Sequence, residues 1–140
     1  MKSAPGRQRF FIIDGNSYIY RAFYAIRNLS TSSGMPSNAV YGFANMLMKV
    51  VKEQQPDLLA IAFDPKGPTR RHREFKEYKA NRPPMPRDLV PQIPYIYKLV
   101  EAFRIPVFVQ EGQEADDVIA TLSARALEHG LDTVIVTGDK

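Results

Sequence analysis

Three carboxylates stand within four residues at Glu114-Ala115-Asp116-Asp117, and three more acids, Asp14, Asp64 and Asp139, follow apolar runs. Carboxylates in such positions serve as helix-end charges, as general acids and bases, or as oxygen ligands for hard divalent cations. Helix-end electrostatics accounts for one or two acids in a first turn, at about 0.3–1 kcal/mol each. Three side by side repel one another, which raises their pKa values unless a cation offsets the repulsion. The chain has no cysteine and only His72 and His129, which excludes disulfides, thiolate catalysis and cysteine-rich zinc sites. Any metal would be held mainly by carboxylate oxygen, a donor set that favours Mg²⁺ or Mn²⁺. A pair of such ions ~4 Å apart clamps both the attacking and the leaving oxygen in phosphodiester hydrolysis. The sequence contains no Gly-x-Ser-x-Gly elbow, no Gly-x-x-x-x-Gly-Lys phosphate loop and no Gly-x-Gly-x-x-Gly fingerprint, so the rival phosphate and acyl chemistries have no motif to rest on.

A second group of residues carries the opposite charge. From Lys66 to Arg87 there are eight basic residues against Glu74 and Glu77, a local +6 in a chain of net +4, which leaves −2 for the remainder. A basic segment set into a slightly acidic body points to a polyanion such as nucleic acid. Within it Arg71, Phe75, Tyr78, Lys79 and Arg82 recur along one stripe of a helix, bounded by the breaks at Pro65 to Pro68 and Pro83 to Pro86. Rings interleaved with cations suit a single strand, with bases stacked on the aromatics and phosphates met by the charges. The alternatives are a solvated charged helix, or a helix whose Phe75 and Tyr78 dock on the body as anchors.

The elements that must position these groups follow from hydrophobic patterning. Residues 1–8 are polar and read as a frayed terminus. Arg9 to Asp14 is an apolar run ending in an acid, a strand buried on both faces of a parallel sheet. Gly15-Asn16-Ser17 reads as a turn before a helix from Tyr18 to Ile26, with Ile19, Ala22, Phe23 and Ile26 inward. After a Ser/Thr/Gly/Pro loop, Ser37 or Asn38 can cap a helix to about Gln54, with Val40, Phe43, Ala44, Leu47, Met48, Val50 and Val51 on its apolar face. Met46 and Met48 read as packing residues. Asp57 to Asp64 is a second strand, Leu89 to Phe103 a helix with Ile93, Ile96, Tyr97 and Val100 inward, and Ile105 to Val109 a third strand. The acidic helix then buries Ala115, Val118, Ile119, Leu122 and Ala126 and stops at His129-Gly130. Thr133 to Thr137 is a fourth strand. Right-handed crossovers make these strands parallel, and open sheets of this kind bind ligands beyond the carboxyl ends of their strands. Asp14, Asp64 and Asp139 are expected at that edge, with Glu114, Asp116 and Asp117 beside them.

Phe-Ile-Ile-Asp-Gly-Asn-Ser (11–17), Tyr20-Arg21-Ala22-Phe23, Ala-Phe-Asp (62–64), Tyr-Lys-Ala-Asn-Arg-Pro-Pro-Met-Pro (78–86), Glu-Ala-Asp-Asp-Val (114–118) and Val-Thr-Gly-Asp-Lys (136–140) occur in that order. Together they resemble the 5′→3′ exonuclease domains of bacterial DNA polymerase I, members of the flap endonuclease family. The resemblance implies a PIN-like α/β fold with a basic helical arch or gateway, and Asp14, Asp64, Glu114, Asp116, Asp117 and Asp139 as metal-site acids. It places Arg71, Tyr78, Lys79 and Arg82 on the arch that steers the 5′ strand, Lys79 and Arg82 near the scissile phosphate, and Arg21 on a phosphate. The implied activity is removal of 5′ flaps and RNA primers during replication and repair with Mg²⁺ or Mn²⁺, on DNA with a 5′ flap or a single-stranded 5′ end. The family usually carries an aromatic residue where Arg70 stands. Its pattern also continues past the position of Lys140 with further metal-site acids and a helix-three-turn-helix element. Residues 1–140 are therefore expected to be the N-terminal portion of a longer nuclease domain, one that can be joined to a polymerase.

Two other functions bear on the same residues. A haloacid-dehalogenase-type phosphohydrolase also has a strand ending in Asp, but it requires a second Asp where this chain has Asn16. A nucleic-acid-binding module without cleavage would use the basic stripe alone. No apolar run reaches the ~18 residues of a membrane span, and a bacterial cytoplasmic location without membrane partners is the expectation.

Overall fold

The computed structural model describes residues 7–65, 85–110 and 112–137. The elements in order are β1 (Arg9–Asp14), α1 (Gly15–Ala25), α2 (Asn38–Lys49), β2 (Leu58–Ala62), α3 (Ile93–Ala102), β3 (Val107–Phe108), α4 (Ala115–Glu128) and β4 (Asp132–Val136). A π-helical turn, Val50–Gln54, prolongs α2, and a 3₁₀ turn, Val90–Gln92, leads into α3. The basic stripe expected between Pro65 and Pro86, with Arg71, Tyr78, Lys79 and Arg82, lies outside the described residues, as does Asp139.

The described strands form one sheet in the order β3-β2-β1-β4, and every pairing is parallel. The chain steps outward from β1 to β2 to β3, then crosses back to lay β4 on the other side of β1. Strand order therefore reverses beside β1, the kind of switch point where open α/β sheets hold ligands. Helices cover both faces. Phe11, Ile13, Ile61 and Phe63 join residues of α1, α2 and α3 in a large core that includes the fully buried Phe43, Leu47, Ile96 and Val100. On the opposite face Ile12 and Ala62 meet Ala115, Val118 and Ile119 of α4 in a smaller cluster. Each large apolar side chain so buried contributes about 1.5–3 kcal/mol.

Several local expectations need correction. The turn foreseen at Gly15-Asn16-Ser17 is already helix, because Asp14 acts as the N-cap and Ser17 sits three residues on to bond it. Met48 and Val51 face solvent; Leu47 and Val50 take the core side, and the widened turn at Val50–Gln54 carries Val51 outward. Met46 does pack on the core. Ser37 makes no side-chain cap bond to α2. The buried Gln92 does that work from 53 residues away: its Oε1 accepts the Ala39 and Val40 N–H groups at 2.8 and 3.1 Å, and its Nε2 donates to Asn38 Oδ1 at 2.9 Å. β3 is only two residues long. Arg104 takes a left-handed φ of 58° and Ile105 donates back to the Val100 carbonyl at 3.3 Å, closing α3 before the strand begins.

His129-Gly130 ends α4 as anticipated. Gly130 has φ 75°, and Gly130 and Leu131 donate to the carbonyls of Leu127 and Ala126 at 3.1 and 3.0 Å, the Schellman pattern. Among the described residues no helix is long and apolar enough to cross a membrane.

Candidate metal centre at the carboxyl edge of the sheet

Strand alternation decides which acids share a face. In β1 the odd residues Phe11 and Ile13 enter the large core and Ile12 the small one; after β2 begins, Ile61 and Phe63 go to the large core and Ala62 to the small. Asp14 and Asp64 continue the even series and so belong to the face that α4 covers. In register Asp14 stands opposite Ala62, which puts Asp64 one pleat further out along the same edge.

The first turn of α1 ties the strand ends together. Asp14 Oδ1 accepts the Ser17 N–H at 3.3 Å, and Ser17 Oγ donates to the Asp14 carbonyl at 3.1 Å. Ser17 Oγ also lies 2.9 Å from Thr137 Oγ1, fastening α1 to the end of β4. Gly15 is needed for α1 to start so near the end of β2. A Cβ there would drive into the Phe63 ring and sit 2.9 Å from the Ala62 carbonyl oxygen.

Asp64 joins the other two elements. Its N–H donates to Asn16 Oδ1 at 2.7 Å, and its Oδ1 accepts the Ala115 N–H at 2.6 Å. The carboxylate therefore caps α4 from outside, where Glu114, the residue at the N-cap position, makes no side-chain cap bond. An anion at this helix end is favoured by the macrodipole. Alanines at 62 and 115 keep the helix close to the sheet. Glu114 is 3% exposed, Asp117 is half-buried and Asp116 faces solvent. Tyr97 stacks edge-on against Phe63 at 4.8 Å between ring centroids. Its phenol is pushed above the ordinary tyrosine range, first by burial and then by the negative charge of Asp64. Arg21 is exposed on α1, and its charge acts on Tyr18, lowering a phenol that burial raises more strongly.

The donor chemistry at this edge fits a hard divalent ion. Asp14, Asp64, Glu114, Asp116 and Asp117 all offer carboxylate oxygen, and His129 lies at the far end of α4. Among the described residues no three acids or histidines stand close enough to hold an ion. The expected six-acid convergence is not seen among the described residues, and Asp139 lies outside them. The described acids are spread across the ends of β1 and β2 and the first turn of α4.

Sequence reasoning missed Asn16, Ser17, Thr137 and Tyr97. The Asp14-x-x-Ser17 spacing was a readable capping signal. The Asn16 to Asp64 hydrogen bond, and the influence of the Asp64 charge on Tyr97, join residues far apart in the chain and have no local signature.

A family model described as the 5′-3′ exonuclease, N-terminal resolvase-like domain matches residues 9–140. The chain is 49% identical over 132 residues to a DNA polymerase I of Caldicellulosiruptor bescii, covering 94% of the chain and 16% of that relative. It is 41% identical over 130 residues to a 5′-3′ exonuclease of Aquifex aeolicus, covering 93% of the chain and 45% of that protein. The fold matches the bacteriophage T5 flap endonuclease in a pseudo-enzyme–product complex with DNA and metal ions, with a TM-score of 0.65 at 18% identity, over 94% of this chain and 49% of that one. The chain thus spans less than half the length of each of these proteins.

Proposed function

The chain belongs to the 5′-3′ exonuclease N-terminal, resolvase-like family, and from that premise we propose that it hydrolyses phosphodiester bonds at the 5′ ends of DNA, including 5′ flaps and RNA primers annealed to DNA, with Mg²⁺ or Mn²⁺. The observation that carries this reading is the hydrogen bond from Ala115 N–H to Asp64 Oδ1. It holds the start of the acid-bearing helix against the carboxyl edge of the sheet where Asp14 lies. Asp14, Asp64, Glu114, Asp116, Asp117 and Asp139 would hold the ions. When bound, divalent ions supply a lowered pKa for attacking water and neutralise charge on the phosphate. The protein's part is to fix the acids on rigid element ends and to deliver the strand. Arg71, Tyr78, Lys79 and Arg82 are assigned to the incoming 5′ strand, with Lys79 and Arg82 at the scissile phosphate. Arg21 is assigned to a neighbouring phosphate, in keeping with its exposure on the helix that Asp14 caps.

The phosphohydrolase alternative lacks its second Asp, and the side chain in that position, Asn16, is engaged with the Asp64 backbone. A 5′-flap oligonucleotide incubated with the protein and Mg²⁺ should be cut, and EDTA should abolish cutting. Asp116→Ala and Asp117→Ala should each lose cleavage by at least ~100-fold while retaining flap binding in EDTA, because metal ligation is removed and the basic stripe is not. Flap binding without metal-dependent cutting, both by this chain and by a version extended past Lys140, would leave a binding module and overturn the nuclease reading.

A further inference from the structure

We propose that Asn16 is a positioning residue for Asp64, and through it for the acidic start of α4; the inference rests on the metal reading above. β1 and β2 pair as far as Asp14 opposite Ala62, after which β1 turns directly into α1. On the other side of β2, Ile61 and Phe63 donate to the carbonyls of Pro106 and Phe108 at 3.0 and 3.1 Å. The even-numbered N–H groups point the opposite way, so the N–H of Asp64 faces a place where no backbone strand remains. Asn16 Oδ1 fills it at 2.7 Å, and a side chain thereby extends the ladder by one rung. A half-buried N–H left without an acceptor would turn toward water, and the carboxylate three bonds from that nitrogen would move with it. That carboxylate bonds the Ala115 N–H at 2.6 Å, so displacement at residue 64 is passed to the turn bearing Glu114, Asp116 and Asp117. Asn is an ordinary choice for a helix first turn, which conceals the role in the sequence.

Groups that orient metal ligands without touching the ion change affinity by roughly 10–100-fold when removed. Mn²⁺ binding to the full chain, followed by electron paramagnetic resonance, should weaken by ~10-fold or more in Asn16→Ala. Asn16→Asp, which keeps an oxygen acceptor at the same distance from the backbone, should restore most of the affinity. Without metal, the Asp64 amide should exchange with solvent faster in Asn16→Ala than in the parent. Gln92→Ala, which breaks a buried network remote from the acids, should lower the melting temperature at least as far and leave Mn²⁺ binding unchanged. Equal Mn²⁺ affinity in Asn16→Ala and a parent that binds Mn²⁺ overturns the inference alone. Equal losses in Asn16→Ala and Gln92→Ala also overturn it, since the effect would then be general destabilisation. A parent that binds no Mn²⁺ overturns the metal reading and this inference with it.

Discussion

On one face of the sheet, Phe11, Ile13, Ile61 and Phe63 are met by three helices that bring Tyr18, Phe43, Leu47, Ile96 and Val100; on the other, Ile12 and Ala62 are met by α4 with Ala115, Val118 and Ile119. The first face is built from large rings and branched aliphatics, the second from a smaller set in which branched aliphatics alternate with the alanines at 62 and 115. The same alternation that sorts these residues also sorts the acids, because Asp14 and Asp64 extend the even series of the thin face. Stability and site geometry are thus assigned to opposite faces: the thick side supplies most of the buried area, and the thin side sets how near the acids of α4 come to those of the strands.

Breaking the thick face should cost the most stability. Phe43 is fully buried and lies edge-on to Tyr18 at 6.0 Å, so Phe43→Ala should lose about 3–5 kcal/mol of unfolding free energy, measured by denaturant titration. Any loss of cleavage should follow the unfolded fraction and recover at lower temperature. Ala62→Leu tests the other face. One side-chain carbon becomes four in a fully buried position under α4, and overpacking of this kind costs about 1–3 kcal/mol. The smaller stability loss should come with a larger functional one: α4 is pushed from the sheet, the Asp64 to Ala115 bond lengthens, and cleavage should fall well beyond the unfolded fraction under conditions where the variant is fully folded. Equal activity loss per unit of stability in the two variants would erase the division between faces.

Much of this division was legible in the sequence, for a physical reason. A strand buried on both sides shows as a continuous apolar run, so Arg9 to Asp14 was bounded correctly and its terminal acid placed at the sheet edge. The helical spacing of Ala115, Val118, Ile119 and Ala126 likewise gave the buried face of α4. What local pattern could not carry was the set of side chains that finish backbone ladders across the fold. Gln92 caps α2 across 53 residues and Asn16 completes β2 across 48; each looks like an unremarkable polar residue in its own neighbourhood. Gly15 and Ser17 were read as turn formers because Gly and Ser favour turns. In the fold Gly15 is required by the nearness of Phe63, and Ser17 by the Asp14 cap.

The smallest expected effect lies where the two faces meet electrically. Tyr97 projects from α3 on the thick side, yet its phenol is raised by burial and, second, by the Asp64 carboxylate of the thin side. A folded-state pKa above the unfolded value of 10.0 means that the native protein holds this proton more tightly. The associated stability is fully present below pH about 10 and is lost as pH rises from there through the folded value. Tyr97→Phe should therefore flatten part of the alkaline decline in melting temperature; Tyr18, raised chiefly by burial, retains the rest. Asp64→Asn should bring the Tyr97 titration down toward, but not to, the ordinary tyrosine value, because burial is the larger cause and remains. Difference spectroscopy of tyrosinate formation in the parent, Tyr97→Phe and Asp64→Asn isolates this one group. An unchanged Tyr97 titration in Asp64→Asn would mean that the charge at the carboxyl edge is not felt across the sheet, and that the two faces are electrically as well as sterically separate.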